Sequence, residues 1–152
     1  MSDTIKSWLF VSVQALLLAL LLFFTNAKTT PVHSVVLAGR FIELIGFIIL
    51  LVSFYDLRKS LTALPLPKEN GELQIHGLYK YVRHPMYVGV LMLSLGIAVS
   101  SGSVIKYLLV LALYILFSFK ARYEEKLLLE KYPGYKAYMR KTHRFVPTIS
   151  KN

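Results

Sequence analysis

Cysteine is absent from the chain, which excludes disulfides, thiol nucleophiles and cysteine-containing zinc sites. Charge is also scarce: 17% of the 152 residues are Asp, Glu, Lys or Arg, against about 25% in soluble domains. Acids are the scarcer sign, 8 Asp+Glu against 18 Lys+Arg, for a formal charge of +10. No internal repeat or low-complexity tract is evident. What the chain has in quantity is apolar sequence, 55% of residues, gathered into long runs that exclude a soluble globular domain. In a membrane protein, the basic excess is first a matter of sidedness and anionic lipid, so nucleic acid is not implied as a partner.

The runs predict an all-α integral membrane protein with about four transmembrane helices and a C-terminal cytoplasmic helical tail, forming a single membrane domain over residues 1–152. The spans are read at about 8–25, 35–56, 85–101 and 103–120, with a linker over 58–84 and the tail over 121–152. The first run carries only Ser12 and Gln14 as polar residues between Trp8 and Phe24. It is longer than the roughly 7–15 residues of a signal-peptide core and is followed by no small-residue cleavage site, so it reads as a retained helix. The third run reaches the roughly 20 residues needed to cross a bilayer only by recruiting its flanks. Ser100-Ser101-Gly102-Ser103 leaves room for a tight turn alone, making the last two spans an antiparallel hairpin. Ser94, Ala98 and Gly102 recur every fourth position and would let those two backbones approach closely.

Four spans bring both termini to one side. Lys6, the five basic residues Arg58, Lys59, Lys68, Lys80 and Arg83, and the nine from Lys120 onward fall on that side, leaving Lys28, Arg40 and Lys106 on the other. The positive-inside rule makes the basic side cytoplasmic. Pro65, Pro67 and Gly71 mark the linker as non-helical. Beyond span four the helix continues, with Lys120/Glu124, Arg122/Glu125 and Lys126/Glu130 at the spacing of helix-face neighbours, until Pro133-Gly134 ends it.

Two clusters on the basic side carry chemistry. Gly77-Leu78-Tyr79-Lys80-Tyr81-Val82-Arg83-His84-Pro85-Met86-Tyr87-Val88-Gly89 leads from the linker into span three. Pro85 suits a first helical turn, and the unpaired N–H groups of that turn with Arg83 favour an anion. The flat faces of Tyr79, His84 and Tyr87 would suit a cofactor, although Tyr and Arg also populate ordinary membrane interfaces. The second cluster, Lys120 to Lys126 with Glu124 and Glu125, returns to the same face through the hairpin. Elsewhere, Glu43 within span two pairs most simply with Arg40, one turn before it. His33 reads as a loop residue, His76 as a neighbour of the pocket and His143 as part of a basic, lipid-facing tail. No His/Glu spacing supports a metal site.

Gly-Leu-Tyr, then Arg-His-Pro-x-Tyr-x-Gly, a short helical hairpin, Arg-x-x-Glu and a Gly-Tyr-x-x-Tyr tail resemble the isoprenylcysteine carboxyl methyltransferase family. The related phospholipid N-methyltransferases share much of the pattern, which covers roughly residues 70–149. The resemblance implies an integral-membrane methyltransferase using S-adenosylmethionine, bound in a cytoplasmic pocket formed by the last two helices and the tail. Carried over by motif position, Leu73 and Gln74 would line the entry and Tyr79 would pack on the cofactor. His84, Pro85, Met86 and Tyr87 would hold its methionine and ribose portions, Gly89 would permit close approach, and Glu125, or else Glu124, would contact its ammonium group. The family's substrate-side arginine falls on Ala121 here, with Arg122 one place later as the nearest candidate.

The acceptor implied is lipophilic: the carboxylate of a prenylcysteine-like compound, or another small lipid-soluble or lipid-linked group. A carboxylate would need only a cation such as Arg122 or Arg144 to orient it. An amine would have to lose a proton, making Glu124 or His84 candidate bases. Two other readings remain open at this point: an NADPH-dependent membrane reductase of the sterol reductase type, and a non-enzymatic scaffold whose basic tail binds lipid.

Overall fold

The computed structural model describes residues 3–23, 31–58, 66 and 71–148. Its elements are α1 (Asp3–Phe23), α2 (His33–Leu57), a short 3-10 helix (Gly77–Lys80), α3 (Pro85–Ser101), α4 (Val104–Lys131) and α5 (Tyr135–Lys141). Among the described residues α1, α2 and α4 are long and apolar enough to cross a membrane, and α3 is a shorter apolar helix of 17 residues. The architecture is an all-α membrane bundle. Lys59, Pro65, Pro67 and Lys68 of the linker, Lys28 and the last residues of the tail lie outside the described residues.

Local sequence explains the ends of these helices. Pro85 occupies the first turn of α3, where a missing N–H costs nothing. Gly102 closes the same helix in the left-handed region at φ 61°, its N–H donating to the Ala98 carbonyl at 3.0 Å. Its place in the sequence is therefore a cap, where the four-residue spacing suggested part of a packing stripe. α4 runs unbroken from the apolar stretch into the charged segment and stops before Pro133.

The closest backbone approach also differs from the expectation. It joins α2 to α3, whereas the small-residue stripe pointed to α3 and α4. Gly39 and Gly46 on α2 face Gly96 and Gly89 on α3. A Cβ on Gly46 would lie 2.5 Å from the Leu93 nitrogen and 2.9 Å from the Gly89 carbonyl. One on Gly39 would lie 2.8 Å from the Gly96 carbonyl. Each pair repeats after about two helical turns, so the same face of each helix meets its partner twice. Without a hydrophobic drive between helices in lipid, such contact supplies association by van der Waals packing. Glu43 lies beside this seam: Arg40 Nη1 donates to it at 2.7 Å, as its spacing suggested, and Ser100 Oγ of α3 donates to its other oxygen at 3.0 Å.

Candidate functional site

At one end of the bundle the start of α3, the charged part of α4 and the tail converge. Asp56, near the end of α2, accepts from the Leu78 N–H at 2.9 Å and so holds the head of the 3-10 helix. Gly77 permits this at φ 61°, since a Cβ there would lie 2.1 Å from Asp56 Oδ2. The 3-10 helix presents Tyr79, which is buried; burial first, then Glu124, Tyr138 and Asp56 nearby, push its hydroxyl pKa well up. Its carbonyl accepts from the Tyr138 hydroxyl of α5.

The tail is sewn onto the following residues. Val82 and His143 form a parallel bridge, with Arg83 N–H donating to the His143 carbonyl at 2.9 Å and His84 N–H to the Arg144 carbonyl at 3.2 Å. Arg83 then turns back on the tail through Nη1, donating to the carbonyls of Met139 and Thr142. These are terminal carbonyls around the end of α5, which the helix itself leaves unsatisfied.

Glu125 is the centre of the arrangement. Its side chain is nearly inaccessible to solvent, at 4%. Arg83 Nε donates to it at 2.9 Å, Arg144 Nε donates at 3.1 Å with a second bond from Nη2, and His84 Nε2 lies 3.2 Å away. Burial opposes its charge, but the bonds from His84, Arg144 and Arg83 outweigh that and hold the carboxyl well below the usual carboxylate range. His84 faces Glu124 as well, its Nδ1 3.4 Å from Glu124 Oε2. Burial lowers the imidazole pKa; hydrogen bonds to the two glutamates overcome it and raise the net value. Glu124 in turn accepts from the Tyr87 hydroxyl. Tyr87 lies flat between two rings, 5.2 Å from His84 at 4° and 4.5 Å from Phe117 at 16°.

The glutamates therefore do not form the intrahelical pairs that their spacing suggested. Among the described residues none of Lys120/Glu124, Arg122/Glu125 or Lys126/Glu130 is an ion pair. Both glutamates turn towards α3 and the tail.

Of the residues singled out in the sequence, the structure brings Tyr79, His84, Tyr87, Glu124 and Glu125 together, with buried Pro85 setting the turn. Gly89 is placed otherwise: its open face is taken by α2, where a Cβ would lie 2.9 Å from the Leu50 nitrogen. Arg122 is exposed, with its guanidinium 5.9 Å from the Phe119 ring. Leu73 and Gln74 are half-buried on the approach to the 3-10 helix, the Gln74 amide donating to the His76 carbonyl at 3.3 Å. Met86 is half-buried in the first turn of α3. Arg144 carries more of the site than the sequence showed, because a basic tail reads first as membrane sidedness; Arg83, which the sequence placed at an anion site, is bonded instead to Glu125 and the tail carbonyls. Among the described residues no group of His, Asp and Glu could hold a metal ion.

Beside the cluster an apolar groove of about 360 Å³ runs between the Val88–Leu95 stretch of α3 and the Tyr107–Tyr114 stretch of α4. Phe145 of the tail lines one end, 6.2 Å from the His84 ring and 5.9 Å from the Tyr114 ring. The groove thus adjoins the buried charges.

A family model for phospholipid methyltransferases matches residues 34–134. The chain belongs to the phospholipid methyltransferase family. Comparison with curated proteins returns no match. The matched span begins in α2 and ends after α4, so it contains His84, Tyr87 and both glutamates of this integral-membrane methyltransferase. α1 and the residues beyond 134, which supply Arg144, lie outside it.

Proposed function

We propose that the protein transfers a methyl group from S-adenosylmethionine to a lipid-borne acceptor, at a site on the cytoplasmic face. The observation that carries the reading is the buried His84–Glu124–Glu125 cluster, with its two arginines, at the end of an apolar groove. The sidedness rests on the basic residues gathered at that end.

The donor set suits such a cofactor. An amino-acid moiety asks for a carboxylate and a cation, which Glu125 and Arg144 provide; a nucleoside asks for flat faces, which Tyr79, His84 and Tyr87 provide. Met86 completes that wall, Pro85 fixes its turn, and Leu73 and Gln74 flank the entry. Arg144, at 27% side-chain exposure against 10% for Arg83, is the cation that gives ground when an ammonium reaches Glu125. When bound, S-adenosylmethionine supplies an electrophilic methyl group on a sulfonium. The chain's own work is to orient the reactants and exclude water.

The family points to a phospholipid headgroup as acceptor, and the charges favour an amine over a carboxylate. Of the two cations that a carboxylate acceptor would use, Arg122 is exposed and Arg144 is bonded to Glu125. Glu124, held between the Tyr87 hydroxyl and His84 Nδ1, is the group placed to take the proton that an ammonium must lose before it can attack. Acyl chains would occupy the groove between α3 and α4, entering from the bilayer.

Calorimetry on the detergent-purified protein with S-adenosylmethionine, and NADPH in parallel, tests the cofactor. Transfer of labelled methyl into phosphatidylethanolamine, against a prenylcysteine analogue, tests the acceptor. Binding of the first cofactor and labelling of the aminolipid are expected. Binding of NADPH alone would overturn the reading in favour of a reductase, and binding of neither would favour a scaffold.

A further inference from the structure

Lys120 is a buried cation that the proposed methyl transfer leaves unused. It lies where the apolar stretch of α4 gives way to charge, a level from which a lysine ordinarily extends its ammonium to the headgroup water. Arg122 and Lys126, on the same helix, are exposed. Lys120 instead points inward, at 7% exposure. Among the described residues no carboxylate comes within ion-pair distance of it. Its Nζ donates to Gln14 Oε1 of α1 at 2.8 Å and stands 5.2 Å from the centre of the Tyr87 ring. An amide oxygen and a ring face are weak compensation for a buried ammonium, and a buried charge without an opposite one is costly.

The partner on α1 also carries a cost. Gln14 is one of two polar residues between Trp8 and Phe24, and a polar side chain within a membrane helix asks for a reason. It accepts from Lys120 without neutralising it, which fixes the ammonium in place and leaves its charge available. Tyr87 joins this cation to the acid side of the site, since its ring lies by Lys120 while its hydroxyl donates to Glu124. Lys120 and Glu124 are about one helical turn apart on α4, so a positive and a negative side chain flank a single tyrosine.

We infer that Lys120, positioned by Gln14, binds the phosphate oxygens of the acceptor's headgroup and so turns the headgroup amine towards Glu124. The inference rests on the reading of the protein as a lipid methyltransferase and adds to it a residue that orients the acceptor. α1, outside the matched family region, becomes part of the site through one hydrogen bond.

The test uses the full chain in detergent, saturated with S-adenosylhomocysteine, titrated calorimetrically with dihexanoyl phosphatidylethanolamine, dihexanoylglycerol and inorganic phosphate. The wild type should bind the zwitterionic lipid about tenfold or more tightly than the phosphate-free lipid. Lys120→Met should remove most of that difference, leaving what the amine gains at Glu124, and Lys120→Arg should keep most of it. Gln14→Glu places a carboxylate on the ammonium, so it should weaken the zwitterionic lipid as Lys120→Met does; a merely structural bond would be kept or strengthened by that change. Affinity for S-adenosylhomocysteine should stay within about twofold in all three variants, as befits a residue that binds the acceptor and one that positions it. Wild-type lipid affinity in Lys120→Met or Gln14→Glu would overturn the inference. So would inorganic phosphate binding as tightly as the lipid in a Lys120-dependent way, which would mark a free-anion site. Failure of the wild type to bind S-adenosylhomocysteine would instead overturn the methyltransferase reading, and this inference with it.

Discussion

Arg83 Nε donates to Glu125 Oε1 at 2.9 Å, joining the first residue of the Arg-His-Pro turn to the charged end of α4. The same guanidinium also holds the carbonyls of Met139 and Thr142, so one side chain fixes α4 and the tail against the start of α3. Loss of the Glu125 charge should therefore act on structure as well as on chemistry. Glu125→Gln leaves two arginines and a histidine facing a neutral amide, and breaking a buried ion network on one side costs roughly 3–5 kcal/mol. Thermal denaturation in detergent should show a large drop in midpoint, and methyl transfer should be lost. An unchanged midpoint would mean that the carboxylate is not the hub that its bonds describe.

Tyr87→Phe separates the hydroxyl from the ring. The stack between His84 and Phe117 survives, while the bond to Glu124 is lost. A hydrogen bond to a charged group is worth about 1.5–3 kcal/mol, so the denaturation midpoint should fall, and turnover should fall by roughly 10-fold or more. Tyr87→Leu, which also removes the stack, should lower both.

The stability of the cluster should depend on pH in two directions. The folded pKa of His84 is raised from 6.5, so its contribution is complete below the unfolded value and is lost as pH rises through the folded one. The folded value of Glu125 is depressed from 4.5, so its contribution is complete above the unfolded value and is lost as pH falls through the folded one. Both contributions are present together between those two unfolded values. Denaturation midpoints measured from about pH 4, just below the acid reference, to about pH 9, above the imidazole one, should fall on the alkaline side, and His84→Gln should flatten that alkaline fall. A wild-type profile that is level through the alkaline range would contradict the two-glutamate cradle.

Arg144 and Arg122 should behave differently although both are basic residues near the same end. Arg144→Ala removes two bonds to Glu125 and should reduce turnover by about tenfold or more. Arg122→Ala removes an exposed guanidinium near one ring, and a change within about twofold is expected for such a surface group. Parallel assays of the two variants under identical lipid conditions would show the order.

Gly46→Val should disrupt the α2–α3 seam, because its new atoms meet backbone rather than movable side-chain ends. Overpacking of this kind costs about 1–3 kcal/mol. Gly134→Ala is the matched control: a Cβ there meets nothing within 4 Å, and the denaturation midpoint should not move.

The helices were legible because apolar runs of bilayer length have few other uses, and Pro85, Gly102 and Pro133 mark their ends. The motif residues His84, Tyr87 and Glu125 were legible as a resemblance. Their mutual contacts were not, since the return of α4 to the start of α3 says which faces are near without saying which side chains meet. Glu125 illustrates the difficulty: Arg122 stands at helix-pair spacing from it, yet its partners come from positions 83, 84 and 144. The α2–α3 seam was carried by Gly39/Gly46 and Gly89/Gly96, a seven-residue repeat less conspicuous than the four-residue spacing at Ser94, Ala98 and Gly102. Gln14 and Lys120 each have an ordinary local reading, and only the fold places them together.

The glycine seam has a mechanical consequence. Where two helices meet backbone to backbone, sliding or splaying must break many short contacts at once, so α2 and α3 behave as a single stiff plank. The other wall of the apolar groove, α4, meets α3 through larger side chains that can change rotamer without backbone collision. Breathing of the groove therefore falls to the Tyr107–Tyr114 stretch of α4, ahead of the ion network that ties Glu125 to α3 and the tail. In the proposed reaction, a chain from the bilayer would enter by motion of that stretch alone, while the charged residues stay in register.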